Sequence, residues 1–131
     1  MTTETITVST DQRLAVIDIT GQVTQVIPED ADGTVTIFSE HTTTGVTINE
    51  SEGRLLNDFE TALSELISDT GWAHDEIDDN ADSHVRSMLL GPSETVPVSN
   101  GDLQLGTWQS ILLIECDGPR SRTIQIATLS V

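Results

Sequence analysis

Apolar and polar residues alternate from the start of the chain. TETITVST, residues 3 to 10, sets Ile6 and Val8 on one face at the two-residue period of a half-buried strand. After an Asp11-Gln12 turn, Leu14 to Ile19 reads as a second strand, and a hairpin of the two is the simplest expectation. Thr20 or Gly21 opens a short helix through Val26 and Ile27, stopped by Pro28 and the polar stretch Glu29 to Gly33. Thr34 to Phe38 alternates Val35 and Ile37 with threonines, a β-branched strand that delivers His41 at its end. Val46 to Ile48 reads as a further strand.

The period then changes to three and four. Leu55, Leu56, Phe59, Leu63, Leu66 and Ile67 form one stripe, with Ser51 as the expected N-cap and Glu52 in the first turn. Asp82 to Leu90 predicts a second helix, capped by Asp82, ended by Gly91-Pro92 and carrying His84 in its first turn. Val96 to Val98, Leu103 to Leu105, Gln109 to Glu115 and Thr123 to Val131 complete the strands, with a turn at Asn100-Gly101. Ile111 to Ile114 is apolar on both faces, the pattern of a strand between two layers or at a subunit contact. These elements predict an α+β fold with a mainly antiparallel sheet or sandwich, in one domain spanning residues 1–131.

Charge changes the picture of the surface. There are 22 acidic residues against five basic ones, all arginine, for a net charge of -17. Such a surface repels phosphate backbones, which argues against nucleic-acid binding, and repels itself unless salt screens it. Lysine-free acidity is the composition expected of a halophilic, salt-saturated cytoplasm. The single Cys116 excludes an internal disulfide, and no window approaches the roughly 20 apolar residues that span a bilayer. A soluble, cytoplasmic protein with no membrane partner is expected.

Candidate chemistry concentrates in a few stretches. Trp72 to Ser93 carries His74 and His84 ten residues apart, with Asp75, Glu76, Asp78, Asp79 and Asp82 between them; His41 opens HTTTGVTINE. Each histidine alone reads first as a surface or cap residue. Together, His41, His74 and His84 have the ligand types of an open divalent-metal site, zinc or another transition metal. Thr42, Thr43 and Thr44 before Gly45 form either a strand end or a set of hydroxyls for phosphate oxygens. Asp117 to Arg122, DGPRSR, is either a solvated Gly-Pro turn or a pair of arginines, Arg120 and Arg122, kept to grip an anion. Cys116, flanked by Glu115 and Asp117, is expected to be structural because the acids raise a thiol pKa. Trp108 is expected in a core or an interface.

The stretches HTTTGVTINE, WAHDEIDDNADSH, SMLLGPSETVPV and LGTWQSILLIECDGPRSR, with the terminal strand, resemble the YjbQ-like family, labelled secondary thiamine-phosphate synthase. The chain departs from that pattern at Ser51 to Arg54 and at Ser121. The resemblance implies a seven-stranded β-sandwich with a few helices, a homotrimer, and a metal pocket gathered by His41, His74 and His84. The implied reaction joins an aminopyrimidine methyl diphosphate to a thiazole phosphate and releases diphosphate, with magnesium able to accompany that substrate. In it the metal takes up leaving-group charge, Arg120, Arg122, Thr42, Thr43 and Ser93 hold phosphate, and Glu50, Asp82 or Glu115 orients a ligand imidazole. Two other readings stand beside it: metal-assisted hydrolysis of a small phosphorylated or acylated metabolite, and a non-catalytic trimeric module that binds metal or anion.

Overall fold

The computed structural model describes residues 1–131. The order is β1 (Thr2–Ser9), β2 (Ala15–Asp18), α1 (Thr20–Gln25), β3 (Gly33–Ser39), β4 (Thr44–Asn49), α2 (Gly53–Leu66), a 3₁₀ turn (Ala73–Glu76), α3 (Ala81–Leu90), β5 (Ser93–Ser99), β6 (Asp102–Leu103), β7 (Ser110–Glu115) and β8 (Ser121–Ser130). Two sheets form, β1-β8-β3-β5-β6 and β2-β7-β4, and every pairing is antiparallel. The expected α+β sandwich is what the chain builds; its seven strands of four or more residues are joined by the two-residue β6. Asn100 and Gly101 both have positive φ, 49° and 78°, the backbone that a tight β5–β6 hairpin requires.

The expected hairpin of the first two strands does not form. β1 pairs with β8, Ile6 opposite Ile124, whereas β2 pairs with β7 in the other sheet. The physical reason lies in the connections. Residues 10 to 14 run beside the β7–β8 connection, with the Thr10 amide donating to the Arg120 carbonyl and the Gly118 amide to that of Arg13. Two neighbouring segments therefore cross between the sheets together, and each strand of the first segment finds its partner in the second.

Alternation decides what fills the sandwich. Ile6, Val8, Val35, Ile37, Val96, Val98, Ile124 and Ile126 from the large sheet meet Val46, Ile111 and Leu113 from the small one, closed at one side by Ile19 and Val23. The opposite face of β7 carries Leu112 and Ile114, which with Val16 and Cys116 lie under Leu56, Phe59 and Leu63 of α2 and Leu90 of α3. The doubly apolar run Ile111 to Ile114 is thus explained within one chain, as the strand between two layers. α2 begins one residue later than expected: Glu52, not Ser51, is the N-cap, its carboxylate accepting from the Leu55 amide at 2.8 Å. Leu66 lies beyond the sheet, 78% exposed. Trp108, expected in a core or interface, is 73% exposed between β6 and β7. No helix is long and apolar enough to cross a membrane.

Candidate functional site

Three segments meet at one end of the sandwich: residues 40 to 43 between β3 and β4, the β7–β8 connection, and the start of α3. They enclose an open cleft of about 350 Å³ with no apolar residue in its lining. Glu40, His41, Thr42 and Thr43 come from the first segment, Asn80 and His84 from the last, and Asp117, Arg120 and Arg122 from the β7–β8 side. Beside it lies a mainly apolar bay of about 420 Å³ formed by Trp72, Ala73, His74, Ala81, His84 and Val85. A third depression runs from His41 past His84 to Met88 and Pro92. His84 borders all three.

Arg122 is on the inward face of β8, in line with Ile124 and Ile126, and is only 3% exposed. Its charge is matched across the sandwich by Glu115 of β7, fully buried. Nε donates to Glu115 Oε1 at 2.8 Å, Nη2 donates to Glu115 Oε2, and Nη2 also reaches Thr43 Oγ1 at 2.9 Å. The Thr10 hydroxyl and the Asp117 amide complete the carboxylate's shell. Burial raises the Glu115 pKa, but the hydrogen bonds from Arg122, Asp117 and Thr10 outweigh it and hold the carboxyl below its ordinary value. Nη1 of Arg122 has no partner within the chain, yet no buried side-chain nitrogen is left unsatisfied. Nη1 therefore keeps its access to the cleft. Arg120 is different: half exposed, it folds back on Asp117, donating to its carbonyl at 2.8 Å and to Oδ2 at 3.1 Å.

The histidines are near one another but engaged separately. His41 Nε2 accepts from the Thr123 amide at 3.1 Å, so the neutral ring carries its proton on Nδ1 and presents a donor. His74 Nε2 lies 3.1 Å from Asn80 Oδ1, and its ring meets that of His84 edge-on with centroids 5.2 Å apart. No group of three or more His, Cys, Asp or Glu side chains is arranged to hold a metal ion. With its one lone pair on the Thr123 amide, His41 does not fit a three-histidine metal in this arrangement.

The structure thus brings His41, His84, Thr42, Thr43, Arg120 and Arg122 into one cleft and puts His74 in the adjoining bay. The remaining sequence candidates lie elsewhere. Glu50 follows the far end of β4, six residues and roughly 20 Å from the cleft end of that strand. Ser93 opens β5 opposite Phe38, outside the cleft. Asp82 neither caps α3 nor touches an imidazole. Asn80 is the N-cap residue, and Asp82 is buried between Arg13, at 2.9 Å, and Arg86, at 2.6 Å. Burial raises the Asp82 pKa, and the two guanidinium groups overcome this to leave it lowered. Glu115 likewise binds Arg122 and no imidazole. Cys116 is buried and its thiol is pushed up to about 12, mainly by burial, with neighbouring charges secondary. Asn80 and Glu40 were not picked out by sequence: an Asn before a helix reads as a cap, and one more acid in so acidic a chain carries no signal.

Comparison with known proteins supplies the kinship. Residues 4–130 match the model of the family described as UPF0047 protein YjbQ-like. A UPF0047 protein of Methanothermobacter thermautotrophicus is 45% identical over 128 residues, covering 95% of this chain and 90% of that one. Another, from Archaeoglobus fulgidus, is 45% identical over 125 residues, 95% and 98% of the two chains. Among solved structures, a hypothetical protein of Aeropyrum pernix superposes with a TM-score of 0.96 at 40% identity, covering 100% of both chains. A protein of unknown function from Sulfolobus solfataricus gives 0.95 at 37% identity, over 99% and 97%. With its whole length, fold and motifs shared in this way, the chain belongs to the UPF0047, YjbQ-like family.

Proposed function

We propose that the polar cleft and the bay beside it form one active site for a small phosphorylated metabolite, and that its reaction is of the thiamine-phosphate synthase type. The observation that carries this reading is the junction at His84. On one side are an unpartnered guanidinium edge, hydroxyls and the His41 donor, suited to phosphate oxygens; on the other is a mainly apolar bay suited to a flat ring. In the reaction the thiazole ring nitrogen forms a bond to the methylene carbon of the aminopyrimidine as the carbon–oxygen bond breaks. The electron pair of that bond leaves on the diphosphate, and the ring nitrogen of the product carries the positive charge.

Each residue has a place in this scheme. Arg122 Nη1, the Thr42 and Thr43 hydroxyls and the His41 Nδ1–H hold the leaving diphosphate, where donors aimed at developing charge act most strongly. Arg120 turns from Asp117 to the same anion, and the carboxylates of Asp117 and Glu40 then face the cationic ring. A magnesium ion that accompanies the diphosphate is part of the substrate in this reading, and no resident metal is assigned. The assembly is a homotrimer, which would cover exposed apolar side chains such as Ile77, Met88 and Leu89.

Incubating the protein with both substrates tests the reaction. The expected result is a coupled product with one diphosphate released per product molecule. Diphosphate or phosphate release from either substrate alone, without coupling, would establish a hydrolase instead, and saturable binding without turnover a binding module.

A further inference from the structure

We propose that Asn80 is a positioning residue that decides which ring nitrogen of His74 is offered to a molecule in the bay, and that it does so by linking His74 to the Asp117–Arg120 pair in the cleft. Asn80 is 8% exposed and occupies the N-cap position of α3, where an asparagine side chain ordinarily accepts an amide of the first turn. It makes no such bond. With neither the Asp82 nor the Ser83 amide bound to it, the Asn80 side chain is left for other work.

That work can be assigned atom by atom. Asn80 Nδ2 donates to Asp117 Oδ2 at 3.0 Å, and Arg120 Nη2 donates to the same oxygen at 3.1 Å. An ion-paired carboxylate has only acceptors, so the amide must present its NH₂ to Asp117 and its Oδ1 to His74. Oδ1 in turn can only accept, at 3.1 Å, and the His74 proton therefore sits on Nε2. Neutral His74 is left with a bare lone pair on Nδ1, which has no partner in the chain. His74 and His41 are thus held in opposite tautomers, one offering an acceptor to the bay and the other a donor to the cleft. The backbone carbonyl of Asn80 also accepts the His84 amide at 3.2 Å, the first backbone bond of α3, so the Asn80 side chain and the helix that carries His84 share one anchor point.

The chemical consequence is selectivity for a hydrogen-bond donor in the bay, such as an amino group on a heteroaromatic ring. The identity of that donor rests on the proposed function; the tautomer does not.

The test is long-range ¹H–¹⁵N correlation of the histidine rings in the labelled full chain, at about pH 8.5, above the ordinary imidazole pKa near 6.5. In wild type, His74 is expected to show an Nε2 proton protected from exchange and an unprotonated Nδ1. Asn80→Ala should abolish that protection. Asp117→Asn should do the same with Asn80 still in place, because the amide is then free to turn. Circular dichroism verifies the fold of both variants, and Asp117→Asn alone decides if the first does not fold. A wild-type His74 protonated on Nδ1, or a protected Nε2 proton that persists in the folded variants, overturns the proposal, whatever reaction the site performs.

Discussion

Two arginines a single residue apart perform different tasks, and mutation separates them. Arg122 neutralises a buried carboxylate, so Arg122→Ala leaves Glu115 unpaired and should destabilise the fold by about 3–5 kcal/mol, read by urea unfolding. Arg120 is half exposed. Arg120→Ala should leave stability within about 0.5 kcal/mol and weaken the binding of inorganic diphosphate, measured by calorimetry, by about 1.5–3 kcal/mol, or roughly 10- to 150-fold. Unchanged diphosphate affinity would remove Arg120 from the site. The same buried pairs set the acid limb of stability. Glu115 and Asp82 both have folded pKa values below their unfolded ones, so their contribution is fully present above about pH 4 to 4.5 and is lost as pH falls through the lower folded values. Glu115→Gln should therefore flatten the loss of stability below pH 4 in thermal melts taken along a pH series.

At the scale of elements, the site depends on how closely α3 rests on β4. Gly45 makes this possible: a Cβ there would lie 2.5 Å from Leu90 Cβ, near the helix backbone and unable to swing aside. Gly45→Ala should cost about 1–3 kcal/mol and, by lifting the helix that carries His84 and Asn80, also weaken diphosphate binding. A melting temperature equal to wild type would show that α3 is not seated as described. The strands and helices themselves were legible from the two- and three-to-four-residue periods, because burial on one face leaves that imprint locally. The pairing of β1 with β8 was not. A strand pattern tells which face is buried, and the partner is chosen by where the chain crosses from one sheet to the other. The cap assignments failed for a related reason: Asp82 has the chemistry of a cap, but Arg86 one turn on in α3 and the distant Arg13 both hold its carboxylate.

For the whole molecule, net charge is the dominant variable. At -17 per chain, self-repulsion opposes both folding and association, and salt screens it over a Debye length of about 10 Å at 0.1 M. The melting temperature should rise as salt increases from millimolar to molar. In molar salt, light scattering should report a trimer. The apolar run on β7 no longer argues for that assembly, since both of its faces are covered within the chain. Exposed Ile77, Met88 and Leu89, 85%, 72% and 64% accessible in one chain, are the apolar surface that the proposed trimer would cover. A monomer in molar salt would sink the trimer.

The sequence by itself determined the elements, the two-layer class, the acidic surface and the residues from which a site had to be drawn, since periodicity, composition and family motifs are properties of the chain alone. It also marked His41, His84, Thr42, Thr43, Arg120 and Arg122, which do share one cleft. Only the tertiary structure decided what each can do there. A side chain's role depends on which of its atoms its neighbours already occupy: Glu115 takes most of Arg122, the Thr123 amide takes the lone pair of His41, and Asn80 Oδ1 occupies Nε2 of His74. Thr123 lies 82 residues from His41, and even Glu115 and Asn80, seven and six residues from their partners, meet them only across a strand connection and a loop, which no hydrophobic period encodes.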